Sequence, residues 1–98
     1  MKIDNILPIG TVVKLKGINT KIIICGYCSE SGNESNYVWD YSGFGFPLGY
    51  TKPDMIVSFD SDQIETIITY GFQDEEQLSY IEEFKEVIKD IEKGKKEN

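Results

Sequence analysis

The feature that most constrains this chain is a change of hydrophobic period near residue 72. Upstream, apolar residues come in short runs rich in β-branched side chains, separated by Gly, Pro, Asn, Asp and Ser. Downstream, they recur at helical spacing. Short period-2 runs read as strands and a 3-4 spacing reads as a helix. A chain that keeps its strands together and ends on one helix is α+β, not an alternating β/α fold.

Residues 11–16 (Thr-Val-Val-Lys-Leu-Lys) alternate and read as a first strand. The turn 17–20 leads into a second strand over 21–27, whose unbroken Ile22-Ile23-Ile24 run suits a central position in the sheet. The short spacing makes the two an antiparallel hairpin. Residues 29–36 are all polar or Gly and read as a mobile loop. Tyr37 to Tyr41 is a short aromatic strand. Residues 42–54 read as a loop by composition, with Gly43, Gly45, Pro47, Gly49 and Pro53. Residues 55–59 and 64–71 are the fourth and fifth strands, joined by a tight or single-helical turn at 60–63. Five short strands with Gly-rich turns favour a small, strongly bent antiparallel sheet or a partly open SH3-like barrel.

The last element is an amphipathic helix. Asp74 with Gln77 three residues on is a capping-box pattern, and Glu75 and Glu76 suit the first turn. Leu78, Ile81, Phe84, Ile88 and Ile91 fall on one face. Gly94 is the expected stop. The expected organisation is one domain over residues 1–98: sheet over 6–72, helix over 74–93 and a frayed tail over 94–98.

Composition narrows function mainly by exclusion. The chain has 98 residues, room for one domain, and a formal net charge of −7 with no His. Its 14 Ile and its complete lack of Ala and Arg mark a compositional bias, and the lack of Arg removes bidentate forks for phosphate or carboxylate. Negative charge of this size repels phosphate backbones, so nucleic acid is not an expected partner. The longest apolar run, residues 22–25, is far too short to span a membrane, and residues 1–5 lack a signal-peptide core. A soluble, cytoplasmic protein is expected. Cys25 and Cys28 form a C-x-x-C, but the strand-like offset points them to opposite faces and no other Cys or His completes a metal site. Free thiols, no metal and no cofactor are expected. No catalytic constellation is visible. Asp40, Asp54, Asp60 and Asp62 are better explained as turn-forming acids than as an acid–base pair or a calcium loop.

Two surfaces remain as candidates for binding another protein. The 42–54 segment carries Phe44, Phe46, Leu48 and Tyr50, too many large apolar groups for a solvated linker. The outer half of the helix carries Val87, Ile88 and Ile91. The inner half (Leu78, Ile81, Phe84) is expected to pack and the outer half to overhang, where a partner helix or a second copy of the chain would cover it. A homodimer is the simplest form of that association.

The stretch Leu7-Pro8-Ile9-Gly10-Thr11-Val12-Val13-Lys14-Leu15-Lys16-Gly17, followed by Lys21 to Tyr27, resembles the opening of the domain of unknown function 4176 family, small proteins of low-GC Gram-positive bacteria. The resemblance continues through Trp39-Asp40-Tyr41-Ser42-Gly43, Phe46-Pro47-Leu48-Gly49, Phe59 to Ile64 and Tyr70 to Glu76, covering residues 6–86. Phe44-Gly45 departs from the pattern. The resemblance implies no known enzyme activity and no catalytic residues. It implies an accessory or targeting role beside type VII (ESX-type) secretion loci, with LXG-type toxins or their small helical partners as the bound protein. Co-export through that system is compatible with it. An immunity-type protein that neutralises a toxin is the alternative.

Overall fold

The computed structural model describes the backbone of residues 6–29 and 37–97, and the side chains of residues 6–28 and 37–90. The loop expected over 29–36 lies almost wholly outside the described residues. Five strands are present: β1 (Val12–Leu15), β2 (Lys21–Ser29), β3 (Trp39–Phe46), β4 (Val57–Phe59) and β5 (Ile64–Thr69). One helix follows, α1 (Glu75–Glu97). The chain divides into two compact units, Leu7–Phe72 carrying the sheet, and a second that contains α1.

The sheet order is β4-β3-β2-β1-β5 and every pairing is antiparallel. β4 and β5 are therefore opposite edges, yet only residues 60–63 join them, three of these in the 3-10 turn Ser61–Gln63. A flat five-stranded sheet would set its edges about 19 Å apart, at about 4.8 Å per neighbouring pair. A 3-10 turn advances only about 2 Å per residue. The sheet has to curl, and it does so without closing, because β4 and β5 share no ladder. The strongly bent five-strand sheet with one C-terminal helix is thus the architecture found.

Register decides which side chains face inward, since cross-strand partners share a face. Val13 pairs with Ile22, Ile22 with Gly45, Ile24 with Gly43, Gly43 with Val57, and Tyr41 with Phe59. This face holds the fully buried side chains: Val13, Leu15, Ile24, Tyr41 and Phe59 are each 2% exposed or less. Tyr41 packs on Phe59 with ring centroids 5.6 Å apart, and its hydroxyl accepts a hydrogen bond from Leu7 N at 3.2 Å. Burial pushes the Tyr41 phenol above its ordinary pKa.

β3 corrects the expectation of a loop starting at residue 42. Ser42 to Phe46 continue the strand, pairing with β2 through Lys21↔Phe46. Of the glycines that suggested a loop, Gly43 is there for clearance. A Cβ on Gly43 would lie 2.4 Å from the Ile23 carbonyl oxygen and 2.8 Å from Ile22 Cγ2. Glycine in a strand commonly marks such a close approach. After β3 come the cis peptide Phe46–Pro47, a turn, and a 3-10 turn at Pro53–Met55. β4 is shorter than the expected 55–59, because Met55 belongs to that turn.

α1 departs from expectation in three respects. It continues past Gly94 to Glu97. The capping box is half made: Gln77 N donates to Asp74 Oδ1 at 2.9 Å, but Gln77 Oε1 takes no partner among the described residues. The expected split between a packed inner and an overhanging outer half is not the pattern of burial. Phe84 and Ile88 are buried, Ile81 is half-buried, and Leu78 and Val87 are about half exposed. Helical geometry explains this: at 100° per residue Ile81, Ile88 and Phe84 fall within about 60° of arc, while Leu78 and Val87 lie about 60° beyond its two edges.

Candidate functional site

The inward glycines of β3 fix what the outer face of that strand presents. With Gly43 and Gly45 on the inner face, Phe44 and Phe46 fall on the outer one, opposite Ile23 and Lys21. The chain then turns at Gly49, whose φ of 79° lies in the left-handed region that glycine tolerates. Gly49 N donates to the Gly45 carbonyl at 2.8 Å, which folds the turn back on the strand. Tyr50 thereby meets Phe44 edge to face, ring centroids 6.2 Å apart at 63°. On the other side Lys21 Nζ sits 5.3 Å from the centre of the Phe46 ring, within range of a cation–π contact.

The result is a ledge of large apolar groups with a defined backbone and an open surface. Phe44 is half-buried, whereas Phe46 is 42%, Tyr50 55% and Leu48 63% exposed. The sequence therefore named the ledge residues while misreading the backbone that carries them. Lys21 was the member it missed. Its signal would have been the register of β2 on β3, which a loop assignment hides.

The helical candidates are not brought to one surface. Val87 is exposed, Ile88 is 2% exposed, and the side chain of Ile91 lies outside the described residues.

The acids are engaged locally. Asp40 accepts from Ser61 N at 2.8 Å and from Ser61 Oγ at 2.9 Å. Asp60 Oδ1 accepts from Asp40 N at 3.0 Å, and Asp60 Oδ2 accepts from the Tyr37 hydroxyl. Asp60 N donates to Gln63 Oε1 at 2.8 Å. These bonds tie β3 to the 3-10 turn and hold the curl. The hydrogen bond to Asp60 raises the Tyr37 pKa to about 12, so this phenol is a donor and not a base at neutral pH. Asp54 lies 4.0 Å from Lys52, both largely exposed. Cys25 and Cys28 are not in a disulfide, Cys25 lying at the register shift of β2 and Cys28 at a φ of 52°. Among the described residues no group of three or more His, Cys, Asp or Glu is placed to hold a metal, and no helix is long and apolar enough to cross a membrane.

A family model described as "Domain of unknown function (DUF4176)" matches residues 6–80. The match takes in all five strands, the ledge and the start of α1. No curated protein and no solved structure matches the chain.

Proposed function

The chain belongs to the domain of unknown function 4176 family, and from that premise we propose that it is a non-enzymatic protein-binding module whose contact surface is the ledge of Phe46, Leu48 and Tyr50. The observation that carries this reading is that three large apolar side chains stand exposed on a backbone fixed by β3 and the Gly45–Gly49 turn. Aromatic anchors on a preformed surface lose little conformational entropy on binding and contribute most of the affinity at protein interfaces. The bound protein, on this reading, is an LXG-type toxin of a type VII secretion system or one of its small helical partners. The module acts as an accessory or targeting factor in the cytoplasm, leaving with its cargo if the two are exported together.

An exposed apolar ledge suits the apolar face of a helix, which anchors through side chains spaced three and four apart. The net charge of −7 supports a second reading, in which the acidic chain covers a basic toxic domain as an immunity protein. Co-purification with separate toxin fragments distinguishes the two. Capture of the N-terminal helical region supports the accessory role, and capture of the C-terminal toxic domain alone replaces it with the immunity role. Capture of neither removes the toxin from the proposal.

A further inference from the structure

Lys21 stands opposite a like charge. On the outer face of the sheet it pairs with Phe46 of β3 on one side and with Lys14 of β1 on the other. Like charges directly opposite each other on neighbouring strands destabilise a sheet. The two ammonium groups part: Lys14 Nζ reaches Glu65 Oε2 at 2.5 Å, and Lys21 Nζ lies 5.3 Å from the centre of the Phe46 ring. Lys14 thus has a carboxylate, whereas among the described residues Lys21 has none. The acids of the sheet are engaged elsewhere. Asp40 and Asp60 bind Ser61 and Tyr37, and Asp54 lies 4.0 Å from Lys52. The hydrogen bond from Lys14, and its charge, hold the Glu65 carboxyl below its ordinary pKa. Residues 41–51, which supply the large groups of the ledge, carry no charge.

We infer that Lys21 is the charge-reading contact of the ledge, and that the segment bound there is a helix carrying a carboxylate, Asp or Glu, beside its apolar anchors. This rests on the reading of the ledge as the protein-binding surface. A partner lying over Phe46 takes water from the ammonium that sits against that ring. Removing a charge from water is costly unless an opposite charge replaces the lost solvation. A wholly apolar face therefore binds poorly at this end of the ledge, and a basic face is repelled. On a helix, residues three and four apart share a face, which sets an Asp or Glu one turn from an apolar anchor. The net charge of −7 repels a uniformly acidic partner. What fits is a helix with a carboxylate at this one place and no large acid excess elsewhere.

The test is calorimetric titration of the N-terminal helical region of an LXG-type toxin into the full chain. The wild type is compared with Lys21→Gln, with Lys21→Glu, and with Leu48→Ala combined with Tyr50→Ala. Lys21→Gln is expected to weaken binding up to about fivefold, the worth of an exposed ion pair, and Lys21→Glu about tenfold or more. Lys21→Glu is expected to unfold at no lower a temperature than the wild type, because it sets an opposite charge against Lys14. Weaker binding without weaker folding separates a contact from a structural lysine. Changing the acids of the toxin region to Lys one at a time is expected to find one that restores affinity for Lys21→Glu and lowers it for the wild type. Unaltered affinity in both Lys21 variants, with a loss in the Leu48 and Tyr50 variant, overturns the inference and leaves the ledge reading standing. Tighter binding by Lys21→Glu overturns it in favour of a basic partner, and so does the lack of any restoring change. A Leu48 and Tyr50 variant that binds like the wild type, or a wild type that does not bind, removes the ledge reading and this inference with it.

Discussion

β1 and β5 are paired strands of similar composition with opposite fates. Val12, Val13 and Leu15 of β1 are buried, the last two at 2% exposure or less, whereas Ile67 and Ile68 of β5 stand exposed. Both strands are short, rich in β-branched residues and broken by little charge. β1 has a strand on each side and β5 has one, but edge position alone does not expose a strand, since Phe59 of the opposite edge strand, β4, is fully buried. The comparison teaches that hydrophobic sequence specifies a strand without specifying a core. The apolar residues of β1 are part of the core, whereas Ile67 and Ile68 of β5 stay outside it.

The largest effect belongs to the inner face. Phe59 is fully buried against Tyr41, and Phe59→Ala is expected to cost about 3–5 kcal/mol, most of the stability of a domain this small. Chemical denaturation followed by Trp39 fluorescence reads it. The next pair breaks or sharpens the comparison itself. Leu15→Ala in β1 is expected to cost about 2–5 kcal/mol, and Ile68→Ala in β5 to stay within about 0.5 kcal/mol of wild type in dilute solution. Equal losses at the two sites would erase the distinction between central and edge strand.

The smallest effect is electrostatic. Tyr37 has its pKa raised to about 12 by the hydrogen bond to Asp60. The folded pKa lies above the unfolded value of about 10, so this bond's contribution is complete below pH about 10 and is lost as pH rises through 12. An absorbance titration of tyrosinate is expected to find two phenols titrating late in the wild type, Tyr37 and the buried Tyr41, and Asp60→Asn to bring Tyr37 back toward the ordinary value while Tyr41 stays late.

Much of the sheet was legible in the sequence because alternation and turn residues are local. The hairpin of β1 and β2, the turn at 60–63 and the α1 start all follow from residue types within a few positions. The extension of β3 through Phe46 was not legible, since Gly43 and Gly45 carry a loop signature. The reason for Gly43, close approach to β2 at Ile23, is a long-range contact. The exposure of β5 was hidden for the same reason: which side chains a strand buries depends on how the whole sheet curls. Within α1 the periodic face holds for Ile81, Phe84 and Ile88, whereas Leu78, expected on it, and Val87 sit at its margins and stay exposed. Phe44, Phe46, Leu48 and Tyr50 could be singled out because four large apolar groups in a Gly- and Pro-rich stretch are conspicuous without any structure.

The central claim is that apolar groups left outside the core, on the Phe46–Tyr50 ledge, bind a protein. The most direct measurement is a calorimetric titration of the N-terminal helical region of an LXG-type toxin into the full chain, for the wild type, for Leu48→Ala with Tyr50→Ala, and for Phe72→Ser, which alters a still more exposed aromatic outside the ledge. The account predicts saturable binding by the wild type and by Phe72→Ser. It predicts a loss of about thirtyfold or more in the ledge variant, as expected for an anchor worth about 2 kcal/mol, with its folding transition unchanged. Unaltered affinity in a folded ledge variant, or equal losses in both variants, would contradict it.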